Sequence, residues 1–90
     1  MVFEIAATIY GLDNFHSSKT NKDYNKIGLI IDGKARYHFI DDADVSKVLN
    51  SEPIKKYRSS GNQPLLAKCV FDIKCTEKGW SGYLRDIKNV

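Results

Sequence analysis

Hydrophobic side chains alternate with polar ones along several stretches of the chain, and a period of two residues marks a strand with one buried face. Phe3, Ile5, Ala7 and Ile9 alternate within residues 2–10, which predicts a first strand. Residues 13–23 are polar, rich in Asn, Ser and Asp, and have no apolar period. They read as a mobile connection, and a loop that long in a small domain is expected to carry function. Residues 24–31 and 35–40 are strand-forming runs on either side of Asp32-Gly33-Lys34, a strong hairpin signal. A two-residue loop sets Ile31, Leu29 and Ile27 against Lys34, Arg36 and His38, with charge on the core face. A three-residue loop with a bulge sets them against Ala35, Tyr37 and Phe39, and is the expected register. The other face then carries Tyr24, Lys26, Gly28 and Ile30 beside Arg36, His38 and Ile40.

Residues 41–50 combine acidic N-cap candidates with apolar residues three and four apart and an Asn near the end, followed by Pro53; this predicts a short helix. The segment 55–64 is basic and turn-rich, hence an exposed loop. Leu65, Ala67, Cys69, Phe71, Ile73 and Cys75 alternate through a long fourth strand, residues 76–79 turn the chain, and a fifth strand runs from about Trp80 to Lys88. The order strand, strand, strand, helix, strand, strand is that of the OB-fold, a five-stranded Greek-key barrel with a helix between its third and fourth strands. The expected class is therefore all-β with one short helix, in a single domain spanning residues 1–90; an open sheet with one packed helix is the competing arrangement.

Composition narrows the function. Ninety residues, 42% of them hydrophobic, hold one core and leave little room for a deep substrate pocket, which excludes large enzymes. The net charge of +3 is modest, but from Asp41 to Glu52 four acids face one base, a local −3, so the rest of the chain carries +6. Lys19, Lys22 and Lys26 lie in or beside the first loop, and Lys55, Lys56 and Arg58 flank Tyr57. Bases interleaved with Tyr on exposed loops are the footprint of a groove that tracks a polyanion. No run approaches the ~18 apolar residues of a membrane span, and the first residues lack a leader pattern, so a soluble, unprocessed cytoplasmic protein is expected. Cys69 and Cys75 are six residues apart in one strand, roughly 20 Å, too far to bridge; both are expected to be reduced, buried thiols.

Catalytic and metal readings are weak. His16-Ser17-Ser18 has no oriented base or oxyanion site, His16, His38, Cys69 and Cys75 lack the short-spaced pairs of a zinc knuckle, and there is no phosphate-cradling glycine loop. No cofactor is expected. Trp80 reads as a core anchor before it reads as a base clamp, while Tyr10, Phe15 and Tyr83 remain open between core and stacking roles. The reading that results is a non-catalytic, largely sequence-independent single-stranded DNA-binding protein supporting replication or recombination. Lys19, Lys22, Lys26, Arg36, Lys56 and Arg58 would contact phosphates, and Tyr24, His38 and Tyr57 would stack bases. RNA is not distinguished from DNA, and no membrane partner is expected. The alternative is a small protein-interaction module, such as a phage-encoded inhibitor of a host protein.

Ser17-Ser18-Lys19-Thr20-Asn21, followed by the step Lys22-Asp23-Tyr24 into a central hairpin and a late hairpin near the end of the chain, resembles the small single-stranded DNA-binding proteins of filamentous phages and related phage or mobile-element replication proteins. The resemblance implies that Lys22 contacts phosphate, that Tyr24 faces DNA and that a homodimer coats single strands cooperatively. Two positions depart from it: Asn21 stands where glycine often precedes that lysine, and residues 41–52 form a fuller helix.

Overall fold

The computed structural model describes all 90 residues, Thr76 through its backbone only. The elements are β1 (Val2–Ser17), β2 (Lys22–Ile31), β3 (Lys34–Phe39), a 3-10 turn (Asp42–Asp44), α1 (Val45–Leu49), α2 (Glu52–Ser59), β4 (Leu65–Thr76) and β5 (Gly79–Lys88). Every neighbouring pair of strands is antiparallel, in the order β3-β2-β1-β4-β5. The two edges approach each other, and a parallel bridge between Ile40 and Leu84 joins them at one point, so the sheet curls into a half-barrel. Its concave face holds Ala7, Ile9, Ile27, Leu29, Ala67, Cys69, Phe71, Leu84 and Ile87, sealed in part by Val48, Ile54 and Tyr57 of the two helices.

The alternation in β4 reads directly into this core, because the strand has one apolar and one wetter face. In β5 the buried Leu84 and Ile87 are three apart, and a bulge opposite Val70 and Phe71 restores both to the concave side. Elsewhere the structure corrects the expectations. Residues 13–17 and 22–23 are strand, not loop: β1 and β2 extend as a two-stranded ribbon to a turn at residues 18–21. The ribbon's far end has no core beneath it, so neither face shows an apolar period, and cross-strand pairs stitch it instead. Asn14 Nδ2 donates to Asn25 Oδ1 at 3.0 Å, and His16 Nδ1 meets Asp23 Oδ1 at 2.8 Å. Asn21 has φ +53°, the left-handed conformation that glycine adopts most easily and that asparagine tolerates better than other side chains.

The β2–β3 loop has two residues, not three. Asp32 and Gly33 both have positive φ, +52° and +75°, as a type I′ turn requires, and Ile31, Leu29 and Ile27 pair with Lys34, Arg36 and His38. Charge is admissible there because β3 is an edge strand whose inner side opens to solvent around Lys34 and Arg36. The expected single helix is three short helical pieces. Pro53 does not end a helix but sits in the first turn of α2, where its missing N–H costs nothing, so Lys55 to Ser59 are helical and Tyr57 is buried. Cys69 is buried and its thiol is pushed up to about 12 by desolvation, whereas Cys75 is exposed, contrary to expectation; neither is bridged. Among the described residues no helix is long and apolar enough to cross a membrane.

Candidate functional site

A single extra residue organises the outer face. Ile9 pairs with Leu29 and Gly11 with Gly28, so Tyr10 is bulged, and the side-chain phase of β1 inverts beyond it. Ile9 points into the core, yet Phe15, six residues on, stands opposite Tyr24 on the outer face. The two-residue hairpin puts Tyr37 and Phe39 there as well, opposite Gly28 and Lys26. Five rings from three strands thereby share one surface. Phe15 stacks on Tyr24 at 5.4 Å between centroids and 23° between planes, Tyr24 meets Phe39 edge-on at 5.8 Å, and Tyr10 meets Tyr37 edge-on at 5.4 Å. Two glycines make the floor. A Cβ on Gly28 would lie 2.9 Å from Tyr10 Cζ, and one on Gly11 would collide with Tyr37 Oη. The space above Gly28 is therefore filled by the Tyr10 ring. Phe15, Tyr37 and Phe39 remain 37%, 44% and 38% exposed, a high fraction for large apolar rings on adjacent strands.

Cations lie among these rings. Lys26 Nζ sits 5.2 Å from the Phe15 centroid and 4.7 Å from that of Phe39, and Lys22 Nζ is 5.6 Å from Tyr24. Lys22 is also ion-paired with Asp42, which holds its ammonium above its ordinary range through that hydrogen bond and charge. The three aspartates of the acidic segment are all engaged in such pairs. Asp41 accepts from the Ala43 backbone N–H at 3.1 Å and from Lys74 Nζ at 3.2 Å, which together hold its carboxyl below the usual range. Asp44 accepts from Arg85 Nε at 2.9 Å and pairs with Lys47 at 3.3 Å, with the same effect. Neutralising these acids locally leaves Lys26, between two rings, as the cation at the centre of the face.

Of the expected site residues, Tyr24, Lys22 and Lys26 come together on this face, and Lys19 lies in the turn at the ribbon tip. Arg36 and His38 do not: the register places them on the opposite, concave side, where His38 meets the Phe71 ring at 5.2 Å and is held below its ordinary pKa by burial and then by Arg36. Tyr57 is 3% exposed and packs in the core, so it is not a stacking residue, while Lys56 and Arg58 are on the surface of α2. Arg58 borders a depression with Asn14 and Asn25 on the other side of the ribbon. Trp80 is 72% exposed and anchors no core. The sequence reading missed Tyr37 and Phe39 and left Tyr10 and Phe15 undecided. The Asp-Gly dipeptide was the available signal, since its preference for a two-residue I′ turn puts Tyr37 and Phe39 in phase with Tyr24 and Lys26.

Rings held half-exposed, with an ammonium between them, suit flat aromatic groups strung on negative charge. Among the described residues no cluster of three His, Cys, Asp or Glu side chains could hold a metal. No protein-family model matches the chain, and neither does any curated protein or solved structure.

Proposed function

We propose that the chain is a non-catalytic, largely sequence-independent single-stranded DNA-binding protein that uses the outer face of β1, β2 and β3, on a barrel of the OB type. The observation that carries this is the run of Tyr10, Phe15, Tyr24, Tyr37 and Phe39 over three adjacent strands with Lys26 and Lys22 between them. Single strands are bound without sequence preference when bases stack on such rings and cations follow the phosphates. The barrel reading is supported by β1 pairing with both β2 and β4, by the parallel bridge from Ile40, the residue after β3, to Leu84 of β5, and by helices between β3 and β4. The role in replication or recombination draws on the resemblance of the Lys22-Asp23-Tyr24 step to phage single-strand-binding proteins.

Titration of labelled oligo-dT at two salt concentrations, with oligo-U and duplex DNA alongside, tests it. The expected result is binding to oligo-dT, weaker at the higher salt because counterions released into a more concentrated solution gain less entropy, with duplex bound less well. Absence of binding at low salt, or equal affinity for duplex, overturns the proposal. Tighter binding of oligo-U than of oligo-dT reassigns the ligand to RNA.

A further inference from the structure

The half-barrel has a second surface. Where β3 and β5 fail to pair, an open cleft of about 450 Å³ enters the concave side, away from the part sealed by the helices. Phe3 and Phe71 stack at 5.6 Å on its floor, with the His38 edge against Phe71. Arg36 stands on the β3 wall and the exposed Trp80 on the β5 wall. Between them Gly82 leaves a gap: a Cβ there would meet nothing within 4 Å. Among the described residues Arg36 pairs with no carboxylate, so its charge is available to a ligand. The cleft thus offers flat apolar walls for a planar ring, a bare stretch of backbone under it and one guanidinium for an anionic group.

We infer that this cleft is a second binding site that takes one nucleotide, its base against Trp80 over Gly82 and its phosphate on Arg36. The choice of ligand class rests on the function proposed above. The site also adjoins that face, because Tyr37 and Phe39 of β3 border the cleft while their rings lie on the outer surface. A strand stacked on Phe39 needs only to cross the β3 edge to place its next base inside. The shared chemistry is a base with its phosphate, supplied either by a bound strand or by a free mononucleotide.

Trp80 is the sole tryptophan of the chain, so its fluorescence reports on the cleft alone. The experiment titrates the protein with dTMP and with labelled oligo-dT of roughly 12 nucleotides, within the span of one such domain, following Trp80 emission and the anisotropy of the label together. Quenching that Gly82→Leu abolishes, and for which Arg36→Ala weakens the apparent affinity about tenfold, as loss of a charged hydrogen bond predicts, supports the site. Circular dichroism confirms folding, and Arg36→Ala alone decides if Gly82→Leu does not fold. Quenching by the oligonucleotide only assigns the pocket to a nucleotide within the strand, and quenching by dTMP extends it to free nucleotides. Anisotropy that rises with Trp80 emission unchanged overturns the cleft and leaves the outer-face reading standing, as does quenching that survives both substitutions. Quenching by dTMP without any oligonucleotide binding supports the cleft and overturns the outer face. No response to either probe overturns both.

Discussion

Two tyrosines in similarly basic surroundings serve different ends. Tyr24 lies between Phe15 and Phe39 with part of its ring open to solvent, whereas Tyr57, flanked in sequence by Lys56 and Arg58, points from α2 into the core. Tyr24→Ala and Phe39→Ala are each expected to weaken oligo-dT binding by roughly 1–3 kcal/mol, the usual loss per stacked base, with the urea midpoint little changed. Tyr57→Ala should do the reverse. Removing a fully packed aromatic ring costs about 3–5 kcal/mol of stability, and the protein that remains folded should bind as before. Gly28→Ala gives a third outcome, because the added methyl lifts the Tyr10 ring off β2 and separates it from Tyr37. Overpacking of this kind costs about 1–3 kcal/mol, and altered ring-proton shifts of Tyr10 and Tyr37 in NMR spectra would show whether the pair has parted.

Turns and caps set which side chains share a face. The I′ turn at Asp32-Gly33 fixes the phase of β3 against β2, and with it the placement of Tyr37 and Phe39 outside and Arg36 and His38 inside. Gly33→Ala puts a Cβ on a residue with φ +75° and is expected to destabilise the protein by about 1–2 kcal/mol in urea unfolding. The acidic turn before α1 makes a pH-dependent contribution. Asp41 and Asp44 have carboxyls held below their usual range, so the unfolded chain takes up their protons first as pH falls. Their stabilisation is fully present above about pH 4, the unfolded value, and is lost as pH drops through the depressed folded values. Thermal unfolding followed across the acid range should show this loss, and it should be smaller in Asp44→Asn, which no longer titrates. The length of the β1–β2 ribbon was hidden at this scale, since its outer end has no core beneath it and shows no apolar period.

Over the whole molecule the uneven charge acquires a spatial meaning. The acidic segment 41–52 is not a separate negative patch, because Asp41, Asp42 and Asp44 reach Lys74, Lys22 and Arg85 on three different strands. Asp42 therefore competes with any phosphate for Lys22. Asp42→Asn is expected to tighten oligo-dT binding by a few-fold at low salt, a gain that shrinks as salt screens the exposed pair, and equal affinities of mutant and wild type at low salt would count against a phosphate contact by Lys22. The sequence by itself determined the apolar face of β1 as far as Ile9, the alternation of β4, the presence of a central hairpin and of a fifth strand, and the element order, all consequences of local periodicity and turn chemistry. Only the tertiary structure decided the inversion of β1 at the Tyr10 bulge, the burial of Tyr57 and the exposure of Trp80. Each of these depends on what packs opposite a residue, whether a helix, a facing strand or the open gap between two sheet edges, and periodicity along one strand carries no information about its neighbours.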